Sequence, residues 1–183
     1  MNLPNQLTMA RIIMVPVVMA LMLMGHEIPA LIVFAVASIT DFLDGYIARK
    51  KKLVSSFGKI MDPLADKLLS FGALICFIQM GVVSVWAPMI IIAREFFVTS
   101  MRVVAVSKGK VIAASWWGKI KTNVQMFAIM IALLLCGLGN PAVTVAGYTF
   151  SVACALIWVA AIFTVASWIA YIFENISVFK DEK

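Results

Sequence analysis

Apolar stretches long enough to cross a lipid bilayer recur six times in this chain, and that recurrence limits what it can fold into. With Gly, Pro and charge as punctuation they fall at about 8–24, 29–49, 60–80, 84–107, 116–138 and 146–173. The mean hydropathy of +1.04 lies far outside the range of water-soluble domains. The expectation is an all-α integral membrane protein: six transmembrane helices around a cytoplasm-facing polar cavity, in a single domain over 1–183. Short connections make successive helices antiparallel neighbours.

Charge orients the bundle. The 15 Lys and Arg residues all fall toward one side of such a bundle. They cluster at Arg49–Lys52, Lys59 and Lys67, along Arg94 and Arg102, and again at Lys108, Lys110, Lys119 and Lys121. Arg11, Lys180 and Lys183 lie toward the two termini. The opposite connections, "GHEIPA", "GVVSVWAP" and "GLGNPAVTVAG", contain no Lys or Arg. The positive-inside rule then puts both termini in the cytoplasm, as an even number of spans requires. The sequence pI near 9.4 follows from this topology and from anionic lipid heads. There is no nucleic-acid motif, so no nucleic-acid partner is expected. The first apolar run lacks a small-residue cleavage site and reads as a retained span. Cys76, Cys136 and Cys154 sit inside apolar helices in no metal or disulfide pattern. His26, in an outward loop, is given no chemistry.

Four acids break this pattern in "DFLDGYIARKKKLVSSFGKIMDPLAD", residues 41–66. Asp41 and Asp44 are three apart, and Asp62 and Asp66 four apart, so each pair shares a helix face. Unpaired carboxylates in a membrane are costly. These must be protonated, paired with bases or bound to cations, and an all-oxygen set suits Mg²⁺, Mn²⁺ or Ca²⁺. Two divalent ions would balance four charges, the arrangement used in phosphoryl transfer. Gly45 and Ala48 leave bare backbone beside the first pair, which serves either helix packing or a bulky ligand such as a nucleotide.

Asp41, Asp44, Gly45, Ala48, Arg49, Gly58, Asp62 and Asp66 together satisfy D-x2-D-G-x2-A-R-x8-G-x3-D-x3-D. This pattern resembles the signature of the CDP-alcohol phosphotransferases. The resemblance implies that the four Asp coordinate two divalent cations, Mg²⁺ or Mn²⁺, and that Asp66 is the catalytic base toward an acceptor hydroxyl. It also implies that Gly45, Ala48, Arg49 and Gly58 line the CDP site. A homodimer and a bacterial cytoplasmic-membrane location come with it. An aspartate-rich prenyltransferase would leave Gly45, Ala48 and Arg49 unexplained. A divalent-cation transporter would need polar groups along the outer halves of the helices, which are almost uncharged.

The acceptor is read from other residues. Arg94 lies about 15 Å from the outer end of its helix, with Arg102 two turns further on. A guanidinium at that depth is either a counter-ion to Glu95 or the acids, or a phosphate clamp. Lys119 and Lys121 open the next helix and add a second cationic element, which suits an anionic acceptor. The segments "NLPNQLTMARI", "AREFFVTSMR" and "GKIKTNVQM" resemble those of family members that join CDP-diacylglycerol to glycerol 3-phosphate. That reaction is the expectation, with inositol phosphate, serine or phosphatidylglycerol as alternative acceptors. Trp116 and Trp117 depart from the family pattern and suit interfacial anchoring. Asn5, Thr8 and Arg11, spaced by three, read either as a cap with a snorkelling Arg or as a lipid-substrate phosphate contact.

Overall fold

The computed structural model describes residues 3–51, 56–107, 109, 116–145 and 148–175; the side chains of 3–5, 41–51, 56–60, 62, 119, 143–145 and 148–149 lie outside that description. Six long helices account for most of it: α1 (Leu3–Leu23), α2 (Glu27–Lys51), α3 (Ser56–Gln79), α4 (Trp86–Ser107), α5 (Trp116–Gly137) and α6 (Val152–Asn175). They match the six apolar stretches to within a few residues, except at the start of the last.

Two helix ends show why the match is close. Gly25 follows α1 at φ 76° and Gly81 follows α3 at φ 70°, the left-handed conformation that glycine adopts without a Cβ clash. At each, two N–H groups fold back onto the last turn: His26 donates to the Leu21 carbonyl at 2.8 Å and Val82 to that of Phe77 at 2.9 Å.

The sixth helix begins at Val152, not at 146. Two short strands precede it instead, β1 (Ala142–Val145) and β2 (Tyr148–Ser151), paired antiparallel so that Ala142 faces Ser151 and Val145 faces Tyr148. Val143, Thr144, Val145, Tyr148, Thr149 and Phe150 are hydropathic enough to extend a span. They are also β-branched or aromatic, and such residues favour extended pairing. Ser151 then caps α6, its Oγ accepting the Cys154 N–H at 3.1 Å.

The helices form a closed ring in the order α1, α2, α5, α6, α4, α3, in which α3 meets α4 and α5 only lightly. Apolar side chains fill the centre, among them Val18, Phe34, Ala73, Phe77, Ile129 and Ile157. The outer surface is the reverse of a soluble protein's: Ile13, Ile32, Phe96, Val103, Ile162 and Phe173 are all more than half exposed. An apolar surface of this extent suits a lipid environment.

By length and composition, three of the described helices can cross a membrane: α1 over Gln6–Leu23, α5 and α6. An apolar stretch of α2, Glu27–Thr40, is shorter. α2, α3 and α4 carry the charges that shorten their apolar runs, namely Asp41 and Asp44, Asp62, Asp66 and Lys67, and Arg94, Glu95 and Arg102.

Among the described glycines the closest approach is at Gly137, where α5 ends against the start of α2. A Cβ built on Gly137 would lie 2.6 Å from Ile28 Cδ1 and 2.7 Å from its Cγ1. Gly137→Val is therefore expected to destabilise the bundle by about 1–3 kcal/mol, the usual penalty of overpacking. The check is the thermal unfolding midpoint of the purified protein in detergent, with Ile28→Ala in the same chain restoring part of the loss.

Candidate active-site cleft

Where α3 leaves room against α4 and α5, a cleft of about 640 Å³ opens. The spacing of α4 determines what it presents there. Arg94, Val98, Met101 and Ala105 form a buried stripe. Glu95, Thr99 and Arg102, at i, i+4 and i+7, form the adjoining stripe, and all three line the cleft. α3 contributes Pro63 and Lys67, one turn apart, and α5 contributes Gly118 and Thr122 from its first turns.

A carboxylate organises this wall. Glu95 Oε1 accepts from Lys121 Nζ at 2.6 Å and from Arg94 Nη1 at 2.9 Å, and Lys67 Nζ stands 3.9 Å from Oε2. Lys67 also donates to Thr99 Oγ1, which in turn donates to the Glu95 carbonyl at 2.8 Å. Arg94 is held from its other side by Ser167 of α6, whose Oγ accepts from Nη2 at 3.1 Å. Three helices besides α4 are thus tied to two adjacent residues of α4. Among the described residues the buried Arg94 Nε–H has no acceptor.

Below the cleft lies a second space of about 20 Å³, enough for one water. Asp66, Ser70, Lys121 and Gln125 line it, and Lys67, Glu95 and Thr122 border both spaces. Gln125 Oε1 is buried there without a hydrogen-bond partner among the described residues. Asp66 is half-buried at this junction, on the α3 face that also carries Asp62.

The structure separates the expected acceptor residues. Arg94 and Arg102 line the cleft; Arg94 is nearly buried, whereas the exposed Arg102 has no ion pair within the described residues. Lys121 is only 2% exposed, is engaged by Glu95 and lines the inner space instead. Arg94 is a counter-ion to Glu95, as one of its two readings had it, and it also lines the cleft. Thr8 and Arg11 are fully buried, so Arg11 is a residue of the bundle interior and does not snorkel to an interface. The side chains of Asn5, Asp41, Asp44, Gly45, Ala48, Arg49, Gly58, Asp62 and Lys119 lie outside the described residues; their backbone belongs to α1, α2, α3 and α5. Among the described residues no three His, Cys, Asp or Glu side chains converge.

Sequence reasoning left Lys67, Thr99 and Ser167 without a role in the site. Ser167 carried a usable signal, since with Thr164 it places hydroxyls on the most apolar helix of the chain.

Residues 1–173 match the CDP-alcohol phosphatidyltransferase family. The chain belongs to that family. It is 43% identical to a CDP-diacylglycerol–glycerol-3-phosphate 3-phosphatidyltransferase of Bacillus subtilis, with 95% of each chain covered. Its identity to proteins of the same name is 39% in Rickettsia typhi (93% of this chain, 94% of the relative) and 36% in Haemophilus influenzae (93% and 91%). Enzymes of the CDP-alcohol phosphatidyltransferase family are generally divalent-cation dependent. The donors available here fit such an ion: Asp66 presents carboxylate oxygens at a polar junction, and the other three acids of the motif lie on α2 and α3.

The ion-pair geometry makes unequal demands on its members. Glu95→Ala leaves Lys121 and Arg94 as uncompensated buried cations and is expected to cost about 3–5 kcal/mol. Ser167→Ala removes one hydrogen bond to a charged group and is expected to cost about 1.5–3 kcal/mol. Thermal unfolding of both variants in detergent checks the order.

Proposed function

We propose that this chain transfers the phosphatidyl group of CDP-diacylglycerol to sn-glycerol 3-phosphate, giving phosphatidylglycerol phosphate and CMP. The observation that carries this reading is a cation-walled cleft beside Asp66, in a chain that matches glycerol-3-phosphate phosphatidyltransferases over nearly its whole length.

In this reading the six helices all span the cytoplasmic membrane of a bacterium. Both termini and the cleft face the cytoplasm, where the Lys and Arg residues gather. Residues 1–183 form a single domain, and two copies make a homodimer. CDP-diacylglycerol arrives laterally from the lipid, and its CDP lies along Gly45, Ala48, Arg49 and Gly58. Asn5, Thr8 and Arg11 are assigned to its phosphates, Thr8 and Arg11 from within the bundle.

Glycerol 3-phosphate enters from the cytoplasm. Arg94 and Arg102 meet its phosphate in the cleft, with Lys119 and Lys121 adding positive charge to the same wall. Asp66 accepts the proton of the primary hydroxyl as that oxygen bonds to the phosphorus attached to diacylglycerol. The bond from this phosphorus to the CMP oxygen breaks, and CMP leaves with the electron pair. Asp41, Asp44, Asp62 and Asp66 would hold two divalent cations, Mg²⁺ or Mn²⁺, which supply charge neutralisation at the diphosphate and the leaving group.

The test is CMP release by the purified protein from CDP-diacylglycerol, offered glycerol 3-phosphate, inositol phosphate, serine, phosphatidylglycerol and glycerol in turn. Turnover is expected with glycerol 3-phosphate, and chelation of divalent ions should abolish it. Turnover with inositol phosphate or serine and none with glycerol 3-phosphate overturns the acceptor. Metal flux into liposomes with no CMP formed overturns the transferase reading.

A further inference from the structure

Lys67 has no place in the roles set out above, yet it is the lysine that the described cleft exposes. Its side chain is 27% exposed and borders the cleft together with Arg94 and Arg102. Its neighbour in the chain is Asp66.

Lys67 and Lys121 differ in the strength of their ties. Lys121 is 2% exposed and bound to Glu95 at 2.6 Å, a short charge-assisted contact that an incoming anion would have to break. Lys67 is held by a neutral hydroxyl, that of Thr99, and stands 3.9 Å from the same carboxylate. An ammonium carries three donors, so Lys67 can keep Thr99 and still reach a third group. The exposed Arg102, without an ion pair among the described residues, supplies further donors on the facing helix.

We propose that Lys67 is a specificity-determining residue of this site, contacting the acceptor's phosphate from α3 while Arg94 and Arg102 contact it from α4. The inference rests on the reading of the acceptor as a phosphate ester. Glu95 holds Lys121 at 2.6 Å and Arg94 at 2.9 Å, so Lys67 and Arg102 are the least committed of the described cations that line the cleft. Selection for a phosphorylated acceptor over a neutral alcohol then depends on the α3 lysine. An acceptor anchored there is held one residue from the proposed base.

The experiment is steady-state kinetics of the full-length enzyme and its Lys67→Gln and Lys67→Arg variants, with inorganic phosphate as inhibitor. In Lys67→Gln the KM for glycerol 3-phosphate is expected to rise about tenfold or more, the effect of losing one charged hydrogen bond. The KM for CDP-diacylglycerol should stay within about twofold of the wild-type value, since its CDP is placed along Gly45, Ala48, Arg49 and Gly58 in this reading. The inhibition constant of inorganic phosphate should rise in parallel, and Lys67→Arg should recover most of both effects. If Lys67→Gln leaves both the KM for glycerol 3-phosphate and phosphate inhibition unchanged, Lys67 is not a phosphate contact. Phosphate inhibition is read with whichever acceptor the wild type uses. A wild-type enzyme that refuses glycerol 3-phosphate therefore overturns the acceptor reading without removing the test of Lys67. Should the glutamine variant fold poorly, the arginine variant decides. An unchanged charge in a larger group must keep phosphate inhibition near the wild-type value, and its loss despite a wild-type unfolding midpoint overturns the proposal.

Discussion

Glu95 is the residue on which the cleft depends. A guanidinium and an ammonium cannot sit inside a lipid-facing bundle without a counter-charge, because the solvation they give up amounts to several kcal/mol each. Glu95 supplies that charge to Arg94 and Lys121 and reaches toward Lys67, tying α3 and α5 to α4. Ser167 adds α6 through Arg94. The cations are thereby gathered into a fixed wall before any substrate arrives, and pre-organisation of this kind reduces the cost of binding an anion.

The rest of the bundle makes such a wall tolerable. The described helices long and apolar enough to cross a membrane are α1, α5 and α6, while the charged residues are concentrated on α2, α3 and α4. Polar groups turn inward and large apolar side chains turn out. The ring of helices is loosest where α3 meets α4 and α5, and the cleft occupies that joint. A polar cavity opening at one end of an otherwise apolar ring suits a reaction between a lipid and a water-soluble partner.

Much of this was legible in the sequence. Hydropathy with Gly25 and Gly81 as stops located the helices, since those glycines do end α1 and α3. The depth of Arg94 along its helix implied burial among protein groups, and it is buried. The start of α6 was not legible, because hydropathy does not distinguish β-branched strands from the first turns of a span. Nor was the division of labour among the lysines. Lys67 read as one of many basic residues near a connection, and Lys121 read as facing a ligand. Which of two cations lies on the open side of a glutamate depends on how three helices pack, and no single-helix periodicity carries that. Arg11 shows the same limit: its place near a helix end left an interfacial and a phosphate-contact reading open, and it is buried.

The central claim is that a carboxylate at this junction moves the acceptor's proton in a phosphatidyl transfer. Single-turnover CMP release from CDP-diacylglycerol and glycerol 3-phosphate, compared between wild type and Asp66→Asn, tests it most directly. The account predicts a fall of about 10²- to 10⁴-fold, the usual contribution of general base catalysis, with the variant still folded in detergent. Wild-type release by Asp66→Asn would contradict it.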